Sequence, residues 1–490
     1  MSGLWWRELP VVPDGPALFE RIKNLPYSFF LDSGLLMPGL ARYSFLGASP
    51  FAWLKARGSR VFLQKGDKTL SFEAHPLAVL RSLLQRYARS RAANAPAPFT
   101  GGAVGYFSYD LGRQLEDIPC LARDDLGWPD LEIGLYSAFI AVDHLAGRVY
   151  ALADGQPEID PGRRRMRALT QLEELADLFR GLEQDRTGKE VHFRVSPRTG
   201  DMVLERRFDR RSYCAAVERA REYIAAGDIY VVNLSQRFSL SLTLDPWLLY
   251  RRLREINPAP CAAFLNFGKR QVVCASPERF LRVSEGRVET RPIKGTRPRG
   301  RTPEEDRNNR QELWNSEKDR AELVMVVDMV RSDLGRACLP GSVKVPELYR
   351  LEEYATVFHL VSTVEGKLAP GRDLVDLLAA AFPGGSVTGA PKVRAMEIIE
   401  ELEPVRRALY TGCIGYLGFD GEADLNMVIR TILCTGGKAY LQVGGGITID
   451  SDPGMEYDET LDKARALVQA LGLGEVARIM EGGGDECFGM

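Results

Sequence analysis

The order of apolar and polar positions divides the chain into regions with different predicted structure. Residues 1–150 alternate short apolar segments with turn signals, for example residues 27–31, and residues 61–63 before Gly66. This pattern predicts a strand-rich first region. Residues 151–210 carry dense mixed charge and one helical stretch near residues 169–180, so we interpret them as a charged linker or crossover.

The rest of the chain alternates between helical and strand patterns. Residues 212–226 predict a helix that ends at Gly227, residues 229–233 predict a strand, and residues 461–471 predict a last helix. Residues 211–472 therefore form a second predicted region, and an α/β or α+β fold is expected for the whole chain. Residues 473–490 are expected to be a disordered C-terminal tail.

Composition narrows the class of protein. A chain of 490 residues suits two domains or one large unit that can bury a pocket. A hydrophobic fraction of 45%, a charged fraction of 27% and a net charge of -2 are typical of soluble globular proteins and do not favour nucleic-acid binding. The eight cysteines are scattered, which predicts reduced thiols in a cytoplasmic protein. Neither a signal peptide nor a membrane-spanning apolar run is expected.

Two distant segments of the chain resemble each other. Residues 102–110 and residues 412–420 both place two glycines three positions apart before an aromatic residue. Glycines in this arrangement favour a strand that another backbone or a ligand approaches closely. Chance similarity between two short strand sequences is the alternative.

Lys294 lies in a basic segment between Pro292 and Gly295, with arginines at positions 291, 297 and 299. An amine that is held at a strand-to-turn corner can act as a nucleophile. The alternative is a solvated basic loop, because Arg and Lys are common in surface turns that contain Gly and Pro.

Two pairs of carboxylates repeat one spacing. Asp319 and Glu322 lie three residues apart at the start of an apolar helical pattern, and Glu456 and Glu459 lie three apart just after Pro453, which favours helix initiation. Acidic residues in a first helical turn often only complement the helix dipole. If both pairs face one cavity, they supply the oxygen ligands that Mg²⁺ prefers.

Glycine-rich segments provide candidate anion contacts. Residues 443–447 follow a strand pattern, and residues 383–392 precede a helical one, so that backbone N–H groups and Lys392 suit a carboxylate ligand. Turn formation alone is the alternative, and no Walker A spacing is present. His359 has apolar neighbours, which suit a satisfied core histidine as well as a catalytic one.

Cys413 could be mistaken for a catalytic nucleophile. Residues 412–415 resemble part of the nucleophile elbow of class I glutamine amidotransferases, whose cysteine needs a downstream histidine. No histidine follows His359, and Thr411 and Leu417 replace the elbow's glycine and glutamine. A glutaminase site in this chain is therefore rejected.

Taken together, these segments resemble the chorismate-utilising enzymes, and the match runs over nearly the whole chain. The resemblance implies a large two-subdomain sandwich of mostly antiparallel sheets with helices outside. It is carried in order by residues 227–230, 233–238, 275–280, 292–296, 319–322, 331–336, 388–392 and 458–460.

Within that family Lys294 indicates the branch. Anthranilate synthases have alanine at this position, whereas the branch that forms 4-amino-4-deoxychorismate, in folate biosynthesis, has lysine. The resemblance implies that Lys294 attacks C2 of chorismate as the 4-hydroxyl leaves, and that ammonia then adds at C4 and expels the lysine. Glu278 matches the family's general acid/base.

The resemblance also implies a ligand set. Glu322 and Glu459 would bind Mg²⁺ directly, Asp319 and Glu456 would hold metal-bound water, and His359, grouped with the catalytic residues, and Ser386 would line the ring side. Chorismate is a dicarboxylate, and its anionic groups would meet Tyr410, Arg430, Gly444, Gly446 and Lys463.

Two partners follow from the same resemblance. Ammonia would come from a class I glutaminase subunit in a heterodimer, and tryptophan would bind a pocket in the N-terminal region. Asp32 and Cys261 depart from the family's pattern there. The matching pocket positions are Ser33, Leu40, Ala41, Arg42, Tyr43, Pro260, Cys261 and Ala262.

Other functions are compatible with these motifs. An anthranilate synthase or isochorismate-type enzyme with an unusual lysine is the nearest alternative. A catalytically silent tryptophan-binding subunit is an alternative of another class.

Overall fold

The structure is a computed structural model that describes residues 3–180, 204–354 and 357–473. The predicted tail beyond residue 473 lies outside the described residues, as does much of the predicted linker. None of the helices in the described ranges combines the length and apolar character that a membrane crossing requires. The seven cysteines within these ranges are free thiols.

Short strands dominate the first part of the described chain, and helices and strands mix in the second. The strands are β1 (Trp5–Leu9), β2 (Phe29–Asp32), β3 (Tyr43–Gly47), β4 (Ala52–Arg57), β5 (Arg60–Lys65), β6 (Lys68–Glu73), β7 (Gly102–Phe107), β8 (Leu131–Tyr136), β9 (Ala138–Asp143), β10 (Arg148–Ala153), β11 (Glu205–Arg206), β12 (Val231–Ser241), β13 (Cys261–Asn266), β14 (Arg270–Ser276), β15 (Arg279–Ser284), β16 (Arg287–Thr290), β17 (Ile293–Pro298), β18 (Lys344–Glu353), β19 (Val357–Lys367), β20 (Gly389–Ala390), β21 (Cys413–Gly418), β22 (Ala423–Met427), β23 (Thr431–Thr435) and β24 (Lys438–Ile447).

The helices mostly begin at an Asp, Ser or Thr cap, often followed by proline. The α-helices are α1 (Gly15–Glu20), α2 (Pro76–Arg86), α3 (Pro161–Leu178), α4 (Arg210–Ala225), α5 (Pro246–Ile256), α6 (Pro303–Asn315), α7 (Glu317–Gly335), α8 (Leu374–Ala381), α9 (Lys392–Leu402) and α10 (Pro453–Ala470); Tyr109–Gln114 and Gly385–Val387 are short 3-10 helices.

The strands form two sheets of twelve, and the named strands pair antiparallel throughout the described chain. The first sheet has the order β1-β10-β9-β3-β2-β13-β14-β23-β24-β12-β11, with β20 paired to β12. The second has the order β17-β19-β16-β15-β22-β21-β7-β8-β4-β5-β6, with β18 paired to β19.

The two sheets face each other across an aromatic core. This core contains Phe29 and Phe139 from the first sheet and Tyr106 and Tyr416 from the second. Helices α1, α3, α5 and α10 cover the outer face of the first sheet. Helices α2, α7 and α8 cover the second. The predicted sandwich of antiparallel sheets with helices outside is therefore confirmed.

The similar segments noted in the sequence pair with each other. Strand β7 lies antiparallel to β21, and Gly105 is directly opposite Gly415. A Cβ atom on Gly105 would lie 2.1 Å from the carbonyl oxygen of Glu132, and one on Gly415 would lie 1.9 Å from that of Asp424. The prediction of close backbone approach is confirmed, since neither position has room for a side chain.

Predicted elements near the site exist but have different boundaries. The strand predicted at residues 229–233 begins at Val231 and extends to Ser241. The last helix begins at Pro453, eight residues before the predicted start, because Asp452 caps it and accepts a hydrogen bond from the N–H of Met455. The start at Pro453 agrees with the helix initiation predicted there for the carboxylate pair, and it places Glu456 and Glu459 within the helix.

Candidate active site

A small cavity lies between the sheets in the C-terminal half of the molecule. It is bounded by β12 and β24 of the first sheet, β17 of the second, α7 and the 3-10 helix Gly385–Val387. Its lining residues are Val231, Asn233, Lys294, Glu322, Met325, Val326, Met329, Gly385, Ser386, Thr388, Gly389 and Gly446.

Lys294 projects into this cavity from β17. The strand pairs with β19 and its register shifts between Lys294 and Thr296, where Gly295 has a φ of +78°. A Cβ atom on Gly295 would lie 2.9 Å from Cβ of Asp319, so both conformation and space require glycine. A methyl group on Gly446 would lie 3.3 Å from Nζ of Lys294, which places the amine beside the backbone of β24. The alternative of a freely solvated loop is therefore wrong.

Glu278 lies beside this amine in the turn between β14 and β15. The residue is 5% exposed, and the hydroxyl of Ser386 donates a hydrogen bond of 2.7 Å to its Oε1. Burial raises the pKa of Glu278 to about 7, although Ser386, the charge of Lys294 and the backbone of Ile293 act to lower it. A carboxyl group with this pKa can give or take a proton near neutral pH.

Glu322 lines the cavity from α7, and Glu459 on α10 lies close enough for its charge to act on Glu322. Burial raises the pKa of Glu322, with the charge of Glu459 adding to the increase and that of Lys294 opposing it. A methyl group on Gly445 would lie 3.1 Å from Oε2 of Glu456 and 3.8 Å from Oε1 of Glu459. Asp319 lies at the edge of this group, where its Oδ2 is 3.1 Å from Nη2 of Arg297.

These carboxylates do not form a closed metal cage in the part of the chain that the structure describes. No group of three or more His, Cys, Asp and Glu side chains there is arranged to hold an ion alone. Mg²⁺ usually retains several waters and takes only one or two protein carboxylates besides substrate oxygens. The described carboxylates therefore offer an ion at most one or two direct ligands, and water or substrate oxygens would have to complete its coordination.

Cationic groups and backbone donors lie next to the carboxylates. Nζ of Lys463 is 2.6 Å from Oε1 of Glu459 and donates a 2.9 Å hydrogen bond to the carbonyl of Gly444. The Arg430 guanidinium donates to the carbonyl of Lys463, and burial lowers the pKa of Arg430. Arg430 has a φ of +53°, a strained backbone conformation of the kind that clusters at functional sites.

His359 and Tyr410, which were also predicted from sequence, are buried but are not among the residues that line the cavity. His359 is buried on β19, its Nδ1 is 3.0 Å from the hydroxyl of Thr296, and its ring packs edge-on against Tyr354. Burial and the charge of Arg430 lower the pKa of His359 to about 4, so its imidazole is neutral at pH 7. Burial raises the pKa of Tyr410 to about 12. Both side chains are thus held in a single protonation state near neutrality.

One residue suggested as an anion contact is engaged elsewhere. Lys392 is buried, and its Nζ donates to Asp333 Oδ2 at 2.7 Å and to the carbonyl of Ala381 at 3.1 Å. The suggestion that Lys392 meets a ligand carboxylate is therefore wrong. Conversely, Asn233 lines the cavity but is not among the site residues predicted from sequence, although it belongs to the segment 233–238 that carries the family resemblance.

A second, larger cavity of about 900 Å³ lies where the N-terminal strands β2 and β3 meet β13, β21 and β22 of the C-terminal region. Each predicted tryptophan-pocket position lines it, from Ser33 and the segment 40–43 to the segment 260–262. Asp32, which departs from the family pattern, accepts hydrogen bonds from Tyr250 at 2.8 Å and Arg254 at 2.6 Å. Its carboxylate is therefore already satisfied by the protein.

Known proteins match this chain over nearly its whole length. A family model described as chorismate binding enzyme matches residues 38–469. Aminodeoxychorismate synthase component 1 of Salmonella typhimurium is 39% identical over 94% of this chain and 97% of its own. Anthranilate synthase component 1 of Thermus thermophilus is 41% identical over 94% of this chain and 95% of its own.

A solved structure of a related protein has a similar fold. The crystal structure of anthranilate synthase component I from Streptococcus pneumoniae has a TM-score of 0.74 and 33% identity, over 88% of this chain and 93% of that one. This chain belongs to the family of chorismate-binding enzymes. The resemblance found in the sequence, including that to the branch of the family that forms 4-amino-4-deoxychorismate, is confirmed.

Proposed function

We propose that this chain is the chorismate-aminating component of an aminodeoxychorismate synthase, which converts chorismate and ammonia to 4-amino-4-deoxychorismate. The observation that carries the proposal is the position of Lys294, whose amine lies in the catalytic cavity beside Glu278, Glu322 and Gly446. Overall identity does not separate the branches, because relatives named for both activities are equally similar. The lysine separates them, since anthranilate synthases have alanine there.

The proposed reaction has two displacements. The amine of Lys294 bonds to C2 of chorismate and becomes a secondary ammonium, the ring double bonds shift, and the C4–O bond breaks. Glu278 in its acid form gives a proton to the departing oxygen, which leaves as water. Ammonia then bonds to C4 and expels Lys294 as a free amine, and the new C4 ammonium returns one proton to Glu278, so the sum is chorismate plus ammonia to aminodeoxychorismate plus water. A tethered nucleophile divides one difficult displacement into two easier ones.

We propose Mg²⁺ as the cofactor, with Glu322 and Glu459 as direct ligands and Asp319 and Glu456 holding water. Bound magnesium would supply positive charge opposite a substrate carboxylate. The support is the proximity of the four carboxylates, since the charge of Glu459 raises the pKa of both Glu322 and Glu456, and that of Asp319 also raises the pKa of Glu322. Arg430 and Lys463 supply the remaining positive charge at the cavity, and Ser386, Tyr410, Gly444 and Gly446 shape the walls that receive the ring and its carboxylates.

Two partners are proposed with this activity. A glutaminase subunit would supply ammonia, because the only cysteine in an elbow-like motif, Cys413, is fully buried on β21 without a following histidine in the sequence.

Tryptophan is proposed for the larger cavity, supported by its volume and its match to the predicted positions. Titration calorimetry with tryptophan tests this site, and no binding at millimolar ligand would exclude it.

Product identification tests the proposed function. The purified chain, incubated with chorismate, Mg²⁺ and ammonium, is expected to form a product that retains the enolpyruvyl group. That product gives 4-aminobenzoate only after a lyase is added. Fluorescent anthranilate with released pyruvate would instead identify an anthranilate synthase. Tight tryptophan binding without any chorismate turnover would identify a silent binding subunit.

A further inference from the structure

Arg407 is a fully buried cation directly beneath the catalytic cavity. Its Nε and Nη2 donate to the two oxygens of Glu403 at 3.0 and 2.6 Å. Both side chains are almost completely excluded from solvent. The guanidinium also lies over the rings of Tyr109 and Tyr410, with centroid distances of 4.8 and 5.8 Å.

The remaining donors of Arg407 contact β12, the 3-10 helix Gly385–Val387 and the turn 408–411, of which the first two line the cavity. Nη2 donates to the carbonyl of Asn233 at 2.5 Å, on β12. Nη1 donates to the carbonyl of Val387 at 2.9 Å, next to Ser386, and to the hydroxyl of Thr411 at 3.3 Å. One planar group thus joins the strand, the 3-10 helix and the turn that carries Tyr410.

The turn itself is strained and needs such support. Ala408 and Thr411 have φ values of +51° and +61°, which non-glycine residues rarely adopt. The N–H of Ala408 donates to Asp110 at 3.0 Å, and its carbonyl accepts from Tyr109 at 2.9 Å. The Thr411 hydroxyl donates to the carbonyl of Tyr410 at 2.6 Å. Strain of this kind persists only where the surroundings fix the backbone.

We propose that Arg407 is a positioning residue for chorismate binding, which acts through the turn 408–411 to hold Tyr410 and through Val387 to hold Ser386. This inference rests on the proposed function, because it takes the cavity to be the chorismate site. Arginine is required because its fork reaches two carboxylate oxygens and two carbonyls at once, whereas lysine offers a single ammonium group. Arg407 itself touches no substrate.

The test is a double-mutant cycle between Arg407→Lys and Tyr410→Phe, with the KM for chorismate measured from the loss of chorismate and thus independent of which product forms. Each single variant is expected to raise KM by about tenfold or more, because small displacements of binding groups have large effects. The KM of the double variant is expected to be no higher than that of the more affected single variant, because both substitutions disrupt the same interaction. Activity with another product would overturn the proposed function but leave this inference intact.

Arg89→Lys is the matched control. Arg89 is a buried arginine whose side chain contacts Thr100 and Asp154, away from the cavity. This variant is expected to lower the melting temperature while leaving KM unchanged. If Arg407→Lys leaves KM at the wild-type value, or if its effect multiplies with that of Tyr410→Phe, the positioning role is wrong. If Arg407→Lys does not fold, the isosteric Thr411→Val replaces it in the cycle, with the same two outcomes.

Discussion

At the scale of a single residue, the protonation state of Glu278 is expected to set the pH dependence of catalysis. Its folded pKa of about 7 lies above the ordinary value of 4.5, and burial is the main cause. A general acid must carry its proton, so kcat/KM for chorismate is expected to fall as pH rises through about 7. In Glu278→Gln this limb should disappear along with most activity. An unchanged limb in that variant would assign it to another group.

The same carboxyl group lowers stability at high pH. The folded protein holds a proton on Glu278 that the unfolded chain releases, so the stabilisation is complete below pH 4.5 and is lost as pH rises through about 7. Glu278→Gln has no such loss. Chemical denaturation at pH 5 and pH 8 should therefore show a smaller decrease in unfolding free energy for the variant than for the wild type.

The carboxylates of α10 allow a matched test of the metal proposal. Glu459→Gln and Glu322→Gln are each expected to raise the Mg²⁺ concentration for half-maximal activity by about tenfold or more, because a charged ligand is lost. Asp458→Asn is the control on the same helix, since Asp458 is half exposed and pairs with Arg210. A magnesium titration of Glu459→Gln that matches the control would exclude Glu459 as a ligand.

At the scale of elements, the site depends on how closely β24 approaches β17. Gly446→Ala is expected to leave the melting temperature near that of the wild type, because Gly446 needs no positive φ, and to lower kcat/KM by about tenfold or more. The reason is that the added methyl group would lie 3.3 Å from Nζ of Lys294. Gly335→Ala, with nothing within 4 Å, is the control. Wild-type activity in Gly446→Ala would place the reacting amine elsewhere.

Sequence patterns predicted the helices that carry the site residues, but they did not predict that these helices lie close together. Spacing of three placed Asp319 with Glu322, and Glu456 with Glu459, on common helix faces, and both helices exist. Whether the pairs converge depends on the contact of α10 with β24 and of α7 with β17, which local patterns do not encode. For Lys392, the sequence suggested a ligand contact that the structure does not have, because its position near a glycine-rich turn does not reveal that its partner is the buried Asp333.

At the scale of the whole molecule, each half of the chain contributes to both sheets. Strands β1–β10 supply five neighbouring strands at one end of each sheet, and the halves join where β2 meets β13 and β7 meets β21. The strand-rich character of the first region was predictable from its alternating pattern. The pairing of the two halves was not predictable, because pairing between strands far apart in sequence leaves no local periodicity. The two similar glycine segments indicated only one of the two contacts, that between β7 and β21.

This join predicts that neither half is stable in isolation. Residues 1–180 expressed alone would expose the edges of β2 and β7, and β7 is buried along its whole length. Such edges favour aggregation. We expect this fragment to be insoluble or oligomeric alone and to form a soluble complex when co-expressed with residues 204–473. A monomeric 1–180 fragment with a cooperative unfolding transition would contradict this prediction.

The covalent role of Lys294 is the centre of the account, and mass spectrometry tests it most directly. The wild-type chain is incubated with chorismate and Mg²⁺ without ammonia, quenched, and examined by intact mass and peptide mapping. The predicted result is a mass increase equal to chorismate minus water, mapped to Lys294 and absent in Lys294→Ala, which still binds chorismate but makes almost no aminated product. Aminodeoxychorismate formation at the wild-type rate by Lys294→Ala, with no adduct on the wild-type chain, would contradict the account.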